Sequence, residues 1–248
     1  MNDGESRTGR VVAYETRSHV MTRDAASVEA AAERLRALDS CVVSDALDAL
    51  GLSGWVEGLA PLWEGARVVG PAVTMTLKPY PRPEGVPPVH LGAAAIEASS
   101  PGSVIVIDNA GRTDMGGWGG LLSYAARQHG VAGVVLDGAC RDVDEARELH
   151  FPVFARAGIV RTARGRVYEA SVGETIQLGS ITVGNGDLVI ADGSGVVVIP
   201  QAHLDEVVQK AADLAARESA IKRSLADGVT PTQAMGANYE HMLDGAHG

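Results

Sequence analysis

Two short segments carry residue types suited to chemistry on a small anion. The first is the run 116–120, four glycines around Trp118, which leads directly into a predicted helix. Glycine lets backbone N–H groups approach a ligand closely, and a helix N-terminus favours negative charge. The run therefore has two interpretations of equal weight. One is a site for a carboxylate or phosphate, and the other is a tight turn packed against other backbone. Leu122 occupies the place that the last glycine of a dinucleotide fingerprint needs, which argues against that class of site.

The second segment, residues 137–142, lies between a predicted strand end and a predicted helix start, where ligands gather in α/β folds. The planar fork of Arg141 suits a carboxylate or a carbonyl oxygen, and Asp142 suits a hard divalent cation. A structural interpretation competes with this one. Asp142 followed three residues later by Glu145 has the spacing of a capping box, and on the residues alone that cap is the favoured interpretation.

Two further acids are candidates by position. Glu218 falls within the apolar stripe of a long predicted helix, at about 203–225. A carboxylate there either reaches solvent at the edge of the stripe, the commoner case, or serves a site, including one on a neighbouring subunit. Asp114 precedes the glycine run, and its two interpretations are a solvated loop acid, which is favoured, and a catalytic group.

Other catalytic classes find little support in the residues. The chain has only three lysines among 21 basic residues, and a Schiff base requires a lysine. Two distant cysteines, Cys41 and Cys140, are too few for a disulfide framework or a thiolate zinc site. Four histidines lack metal-ligand spacing and are interpreted as surface or packing residues. They are His90, His129, His150 and His203.

The composition excludes several kinds of partner. The 248 residues carry a formal net charge of -10 at pH 7, which argues against a nucleic-acid surface because phosphates would be repelled. No apolar run approaches the roughly 20 residues of a membrane span, and the polar N-terminus has no signal-peptide core. We therefore expect a cytoplasmic protein with no membrane or nucleic-acid partner.

The elements that position these residues follow an α/β rhythm. Apolar runs predict strands at 104–108, 131–136 and 152–156, separated by helices at 121–129 and 142–149. Earlier segments predict helices at 27–38, 44–50 and 91–98 and a strand at 65–78 broken at Gly70–Pro71. The last third predicts antiparallel strands at 174–183 and 187–200, followed by the long helix. We expect a flexible arm over residues 1–24 and a single domain over 25–248.

One combination of motifs resembles a known family. Gly119-Gly120-Leu121 is followed, after twenty residues from Gly120, by Arg141-Asp142. This pattern resembles the RraA-like family, which includes the 4-hydroxy-4-methyl-2-oxoglutarate (HMG) and 4-carboxy-4-hydroxy-2-oxoadipate (CHA) aldolases. The likeness covers roughly residues 30–225. Supporting stretches lie at 44–48, 65–72, 101–106 and 186–200.

The resemblance implies a fold and an activity. The implied fold is an α/β/β sandwich of the swivelling-domain, or phosphohistidine-domain-like, type with a mixed sheet, assembled as homotrimers or homohexamers. The implied activity is that of a lyase on small 2-keto acids, dependent on Mg²⁺ or Mn²⁺. It cleaves a 4-hydroxy-2-oxo acid to release pyruvate, decarboxylates oxaloacetate, or does both. The alternatives are a non-enzymatic regulator that binds a ribonuclease and an RraA-like lyase of unassigned substrate.

The resemblance also assigns roles to individual residues. Asp142 would ligate the metal, Arg141 would hold the keto-acid end, and Glu218 approximately matches a metal-site glutamate supplied by the neighbouring subunit. The pyruvyl carboxylate would be bound by four backbone amides, those of Gly119, Gly120, Leu121 and Leu122.

The chain departs from the family pattern at one position. The aldolases carry an acidic residue immediately before the leucine that corresponds to Leu121, and this chain has Gly120 there. That acid helps to activate a metal-bound water in the family. Three possibilities follow: Asp114 replaces it, another acid replaces it, or the chemistry differs.

Overall fold

The computed structural model describes residues 24–84 and 90–236. Helices α1 to α7 span Ala25–Arg36, Ser40–Ala49, Ala93–Ala98, Gly120–Gln128, Val143–Glu148, Leu204–Ala226 and Pro231–Ala234. Strands β1 to β11 span Trp55–Val56, Ala60–Pro61, Val68–Pro79, Val104–Trp118, Gly133–Cys140, Val153–Gly158, Val167–Val172, Ile176–Leu178, Ile181–Val183, Leu188–Asp192 and Gly195–Ile199. The predicted arm lies outside the described residues except for Asp24, whose carboxylate accepts the Ser27 N–H and caps α1.

The strands form one large mixed sheet. Its order is β1-β11-β10-β3-β4-β5-β6-β2, and β7 also pairs with β3. Strands β3, β4, β5 and β6 are parallel, whereas the remaining pairings in this sheet are antiparallel. Strands β8 and β9 form a separate hairpin.

Three apolar layers hold these elements together. Successive side chains of a strand point to opposite faces, so Ile105 and Ile107 of β4 pack on α3, α4 and α5. Val104 and Val106 of the same strand face β10, β11 and the β8–β9 hairpin instead. Helices α1, α2 and α6 cover the outer face of β10 and β11. Because residues 104–107 of β4 are buried on both faces, this part of the strand is a continuous apolar run. The predicted α/β/β sandwich with a mixed sheet is confirmed.

The predicted break at Gly70–Pro71 is wrong, because β3 runs through both residues. Instead, β3 changes partners there: Val68 to Pro71 pair with β10, and the parallel pairing with β4 begins at Ala72. Position 70 requires glycine because the backbone of Gly102 approaches it closely. A Cβ atom at this position would lie 2.0 Å from the carbonyl oxygen of Gly102.

The glycine run 116–120 is also not the loop that its composition predicts. Strand β4 continues with several register shifts to Trp118, where it pairs with Cys140 at the end of β5. Gly120 is already the first residue of α4. The glycines therefore allow an irregular strand to pack tightly. Strand β7 was not predicted from the sequence, and α2 begins at Ser40 because the Asp39 carboxylate accepts the Val42 N–H.

A Gly70→Ala variant should test the close approach. The added methyl meets backbone that cannot move away easily, so we expect a loss of about 1–3 kcal/mol in the free energy of unfolding. Gly193→Ala is the matched control, because a Cβ atom there meets nothing within 4 Å. Urea unfolding of both variants measures the difference, and equal stabilities would contradict the packing described.

Among the described helices, none combines the length and apolar character needed to cross a bilayer.

Candidate active site

A cleft of about 360 Å³ opens at the carboxyl ends of β4 and β5. The helices that follow these strands, α4 and α5, begin beside it, and residues of both N-termini line it. This is the edge of a parallel sheet at which ligands bind in α/β folds. The lining residues are Tyr80, His90, Leu91, 116–122, Arg141, Asp142, 162–165, Val167 and Tyr168.

Asp142 is held against the start of α4. Its Oδ2 atom accepts a hydrogen bond from the Gly120 N–H at 3.1 Å. A Cβ atom at Gly119 would lie 3.0 Å from the same oxygen, so glycine lets the carboxylate come this close. Asp142 itself has φ +55°, a left-handed conformation that non-glycine residues adopt rarely and often at functional sites.

The capping box expected between Asp142 and Glu145 does not form. Asp142 occupies the N-cap position of α5, but its side chain makes no capping hydrogen bond. The left-handed backbone turns the carboxylate away from the first N–H groups of α5 and toward Gly120 of the neighbouring helix. Its side chain remains 43% exposed and is accessible from the cleft.

Arg141 is packed into a notch made by glycine. A Cβ atom at Gly116 would lie 2.3 Å from Cγ of Arg141, so no other residue type fits there without moving the arginine. The Nε atom of Arg141 is buried and has no hydrogen-bond partner in the described part of the chain. Buried N–H groups normally have acceptors, so this atom is a donor available to an oxygen that enters the cleft, from a water or a ligand.

The charges of the cleft favour an anion. Two arginines, Arg141 and Arg164, line it together with one carboxylate, that of Asp142. A cationic cleft in a chain of net charge -10 attracts small anions selectively. The neighbouring Cys140 thiol is no nucleophile at neutral pH, because burial, assisted by the charge of Asp142, raises its pKa to about 12.

The structure brings most of the predicted site residues together. Gly119, Gly120, Leu121, Leu122, Arg141 and Asp142 all line the cleft. Asp114 does not line it; its carboxylate pairs with Arg161 at 3.3 Å. Glu218 of the same chain also lies outside the lining, where its carboxylate is 3.5 Å from Nζ of Lys222.

The cleft also contains residues that the sequence did not single out. His90, interpreted as a surface or packing residue, lines one wall, and Tyr80 lies edge-to-face with Tyr168 at a centroid distance of 5.9 Å. Thr162 and Arg164 also line the cleft. These side chains come from separate segments that meet only through the tertiary fold, so no local motif marks them.

The fold and the cleft together define a class, that of α/β/β-sandwich proteins with a cleft beside two helix N-termini. A family model described as RraA-like, Aldolase/RraA, matches residues 40–198. The chain belongs to the Aldolase/RraA family, as its resemblance predicted.

Individual relatives agree with this assignment. The chain is 34% identical over 201 residues to a Halalkalibacterium halodurans protein named "Putative 4-hydroxy-4-methyl-2-oxoglutarate aldolase", covering 81% of this chain and 91% of that one. It is 37% identical over 196 residues to protein DlpA of Legionella pneumophila, covering 79% of this chain. The match spans only 32% of the length of DlpA.

A solved structure extends the comparison. Streptomyces coelicolor RraAS2, described as an unusual member of the RNase ES inhibitor RraA protein family, superposes with a TM-score of 0.69. It is 28% identical, and the match covers 77% of this chain and 94% of that chain.

Proposed function

We propose that the protein is a divalent-metal-dependent lyase on small 2-keto acids. Its reaction would be retro-aldol cleavage of a 4-hydroxy-2-oxo acid to release pyruvate, oxaloacetate decarboxylation, or both. The observation that carries the proposal is the unpartnered, buried Nε of Arg141 beside Asp142 and the glycine amides. Relatives named as aldolases support the same reaction class.

The residues present fit a hard cation. Asp142 offers a carboxylate that is partly exposed in the cleft, and its Oδ1 atom accepts no hydrogen bond from the described residues. No group of three or more His, Cys, Asp or Glu side chains converges within residues 24–84 and 90–236. Mg²⁺ tolerates such a site, because it keeps several waters and binds through one or two carboxylates plus substrate. When bound, Mg²⁺ or Mn²⁺ would act as a Lewis acid on the keto acid.

The protein's own groups would bind and orient the substrate. The amides of Gly119, Leu121 and Leu122 at the start of α4 would hold the carboxylate next to the keto group, since a helix N-terminus favours an anion. The Gly120 N–H, expected from the resemblance to join them, is instead donated to Oδ2 of Asp142. The guanidinium of Arg141 would donate to the keto oxygen. Cleavage of the bond to C4 turns this oxygen into an enolate, and a preorganised cation beside it stabilises the developing charge.

The active unit would be a trimer or hexamer, as the family resemblance implies. Leu121, which lines the cleft, is 71% exposed, and Tyr124 one turn later on α4 is 50% exposed. Large apolar side chains at the rim of a cleft favour contact with another subunit. In such an assembly Glu218 of a neighbouring subunit would join the metal site, whereas Glu218 of the same chain lies outside the cleft.

A substrate panel tests the proposed function. Purified, metal-stripped protein is incubated with HMG, CHA or oxaloacetate, and pyruvate is followed with a coupled dehydrogenase. We expect turnover of at least one substrate with Mg²⁺ or Mn²⁺ and a loss of at least about 100-fold with EDTA, because the cation carries much of the charge stabilisation. Turnover that is equally fast with EDTA would contradict metal dependence.

A second function, binding and regulating a ribonuclease, is favoured by the similarity to RraAS2. It requires no turnover and no intact Arg141. If all three keto acids remain uncleaved with either metal, and the protein inhibits an RNase E-type enzyme at stoichiometric concentration, the regulator is the better assignment.

A further inference from the structure

The carboxylate of Glu145 occupies the space that a side chain at position 120 would need. A Cβ atom built on Gly120 would lie 1.8 Å from Oε2 of Glu145 and 2.4 Å from Cδ. No real Cβ comes this close to another atom, so the carboxylate and a side chain at 120 exclude each other in this conformation. Glu145 belongs to the first turn of α5, whereas Gly120 is the first residue of α4.

The surroundings of Glu145 leave its carboxylate available. It is exposed and takes part in no hydrogen bond or ion pair with the residues that the structure describes. Gly120, against which it lies, is part of the cleft wall, and Asp142 contacts the N–H of the same glycine. Glu145 does not itself line the cleft; it lies directly behind Gly120 of the cleft wall, and its carboxylate has no partner among the described residues.

Other acids near the cleft are less suitable for accepting a proton. Asp114 is already paired with Arg161, at 3.3 Å. Glu169 is buried beside Tyr168, and its carboxylate accepts the Gly92 N–H at 2.7 Å. Asp142 is the carboxylate that fits the cation. A retro-aldol cleavage still needs a group that takes the proton of the substrate hydroxyl.

We propose that Glu145 is this proton acceptor and that Gly120 is glycine so that its carboxylate fits. The inference rests on the proposed lyase function. In the step, the proton of the 4-hydroxyl passes to the Glu145 carboxylate through one water, and the O–H electron pair forms the new C=O bond. The C3–C4 bond breaks, and its electron pair forms the enolate. The proton then returns to C3, so one HMG gives two pyruvates with no other reactant.

The test compares Glu145→Gln with a control on the same helix. Glu148→Gln removes the same charge from α5, and the Glu148 side chain is likewise exposed. We expect kcat to fall at least about 100-fold in Glu145→Gln and to stay unchanged in Glu148→Gln, because general-base catalysis contributes about 10²–10⁴-fold. KM and the Kd for Mn²⁺, measured directly by electron paramagnetic resonance, should stay within about threefold of wild type, because a proton acceptor is not a metal ligand.

In a double variant, the carboxylate is supplied to the same space from α4 instead of from α5. Glu145→Ala vacates the volume, and Gly120→Asp then supplies a carboxylate to it from α4. We expect Gly120→Asp/Glu145→Ala to exceed Glu145→Ala in kcat by at least about tenfold, or roughly 1.4 kcal/mol of activation free energy. A double variant no faster than Glu145→Ala would contradict the claim that a carboxylate supplied from position 120 can replace that of Glu145.

The remaining outcomes separate this inference from the proposed function. Wild-type kcat in Glu145→Gln would overturn the role of Glu145 and leave the lyase assignment standing. A loss of Mn²⁺ affinity as large as that of an Asp142 variant, or a loss of the native circular dichroism spectrum, would make Glu145 a ligand or a structural residue instead. A wild-type protein inactive on all keto acids would overturn both proposals.

Discussion

An Asp142→Asn variant is expected to lose metal-dependent turnover by at least about 1,000-fold, or roughly 4 kcal/mol of activation free energy, while its fold survives. Asparagine keeps an oxygen that can accept the Gly120 N–H, which is the one hydrogen bond to this side chain among the described residues. It removes the negative charge that a hard cation needs. The kinetic loss should therefore accompany a weaker Mn²⁺ Kd, measured by titration calorimetry, with an unchanged melting temperature.

Asp144→Asn is the matched control for this substitution. Asp144 lies two residues further on, is well exposed, and pairs only with Arg147, at 2.7 Å, within the described chain. It should leave turnover and Mn²⁺ affinity within about twofold, because exposed ion pairs contribute little. Full activity and unchanged Mn²⁺ affinity in Asp142→Asn would show that this carboxylate serves only to join α5 to α4.

Arg141→Lys should lower kcat/KM by at least about tenfold, or roughly 1.4 kcal/mol. Lysine keeps the positive charge but lacks the planar fork, and it places no donor at the position of Nε. Among the described residues, the Nε atom is a buried donor without a partner, and Gly116 leaves the space in which the Arg141 side chain packs. The loss should be equal for every substrate that the protein turns over, because all share the keto group that Arg141 would hold.

Arg147→Lys provides the comparison for Arg141→Lys. Arg147 lies on α5, exposed and paired with Asp144, so the same change of side chain occurs there outside the cleft. Steady-state kinetics of both variants on the preferred substrate measure the difference. If Arg141→Lys were as fast as Arg147→Lys, Arg141 would not touch the reacting part of the substrate.

Much of the fold was predictable from the sequence, because both faces of the parallel strands are buried. A continuous apolar run such as residues 104–107 then predicts a strand without any alternation. Two errors, the break at Gly70–Pro71 and the loop at 116–120, arose where glycine was interpreted as ending a strand. Gly70 lies inside a continuous strand and meets the carbonyl of Gly102, which is distant in sequence. Local sequence cannot distinguish a glycine that ends an element from one that admits another backbone.

The candidate site was predictable only in part. Arg141 and Asp142 were singled out from their residue types and from the family resemblance, and the structure places both in the cleft. The capping box was the wrong interpretation, since the spacing from Asp142 to Glu145 does not show the sign of φ at Asp142. The contact of Glu145 with Gly120 joins two helices, and a single sequence contains no signal for it.

The change of partner along β3 has a consequence for how the chain folds. Val68 to Pro71 of this strand pair with β10, more than 100 residues later in the sequence, whereas the following residues pair with β4. Residues 68–71, the first third of the strand, therefore stay an open edge until residue 192 at the end of β10 has been synthesised. Such non-local pairing is slow, and an open apolar edge is a template for wrong pairing between chains. A growing chain that stalls before β10 should consequently be the species that aggregates or requires a chaperone.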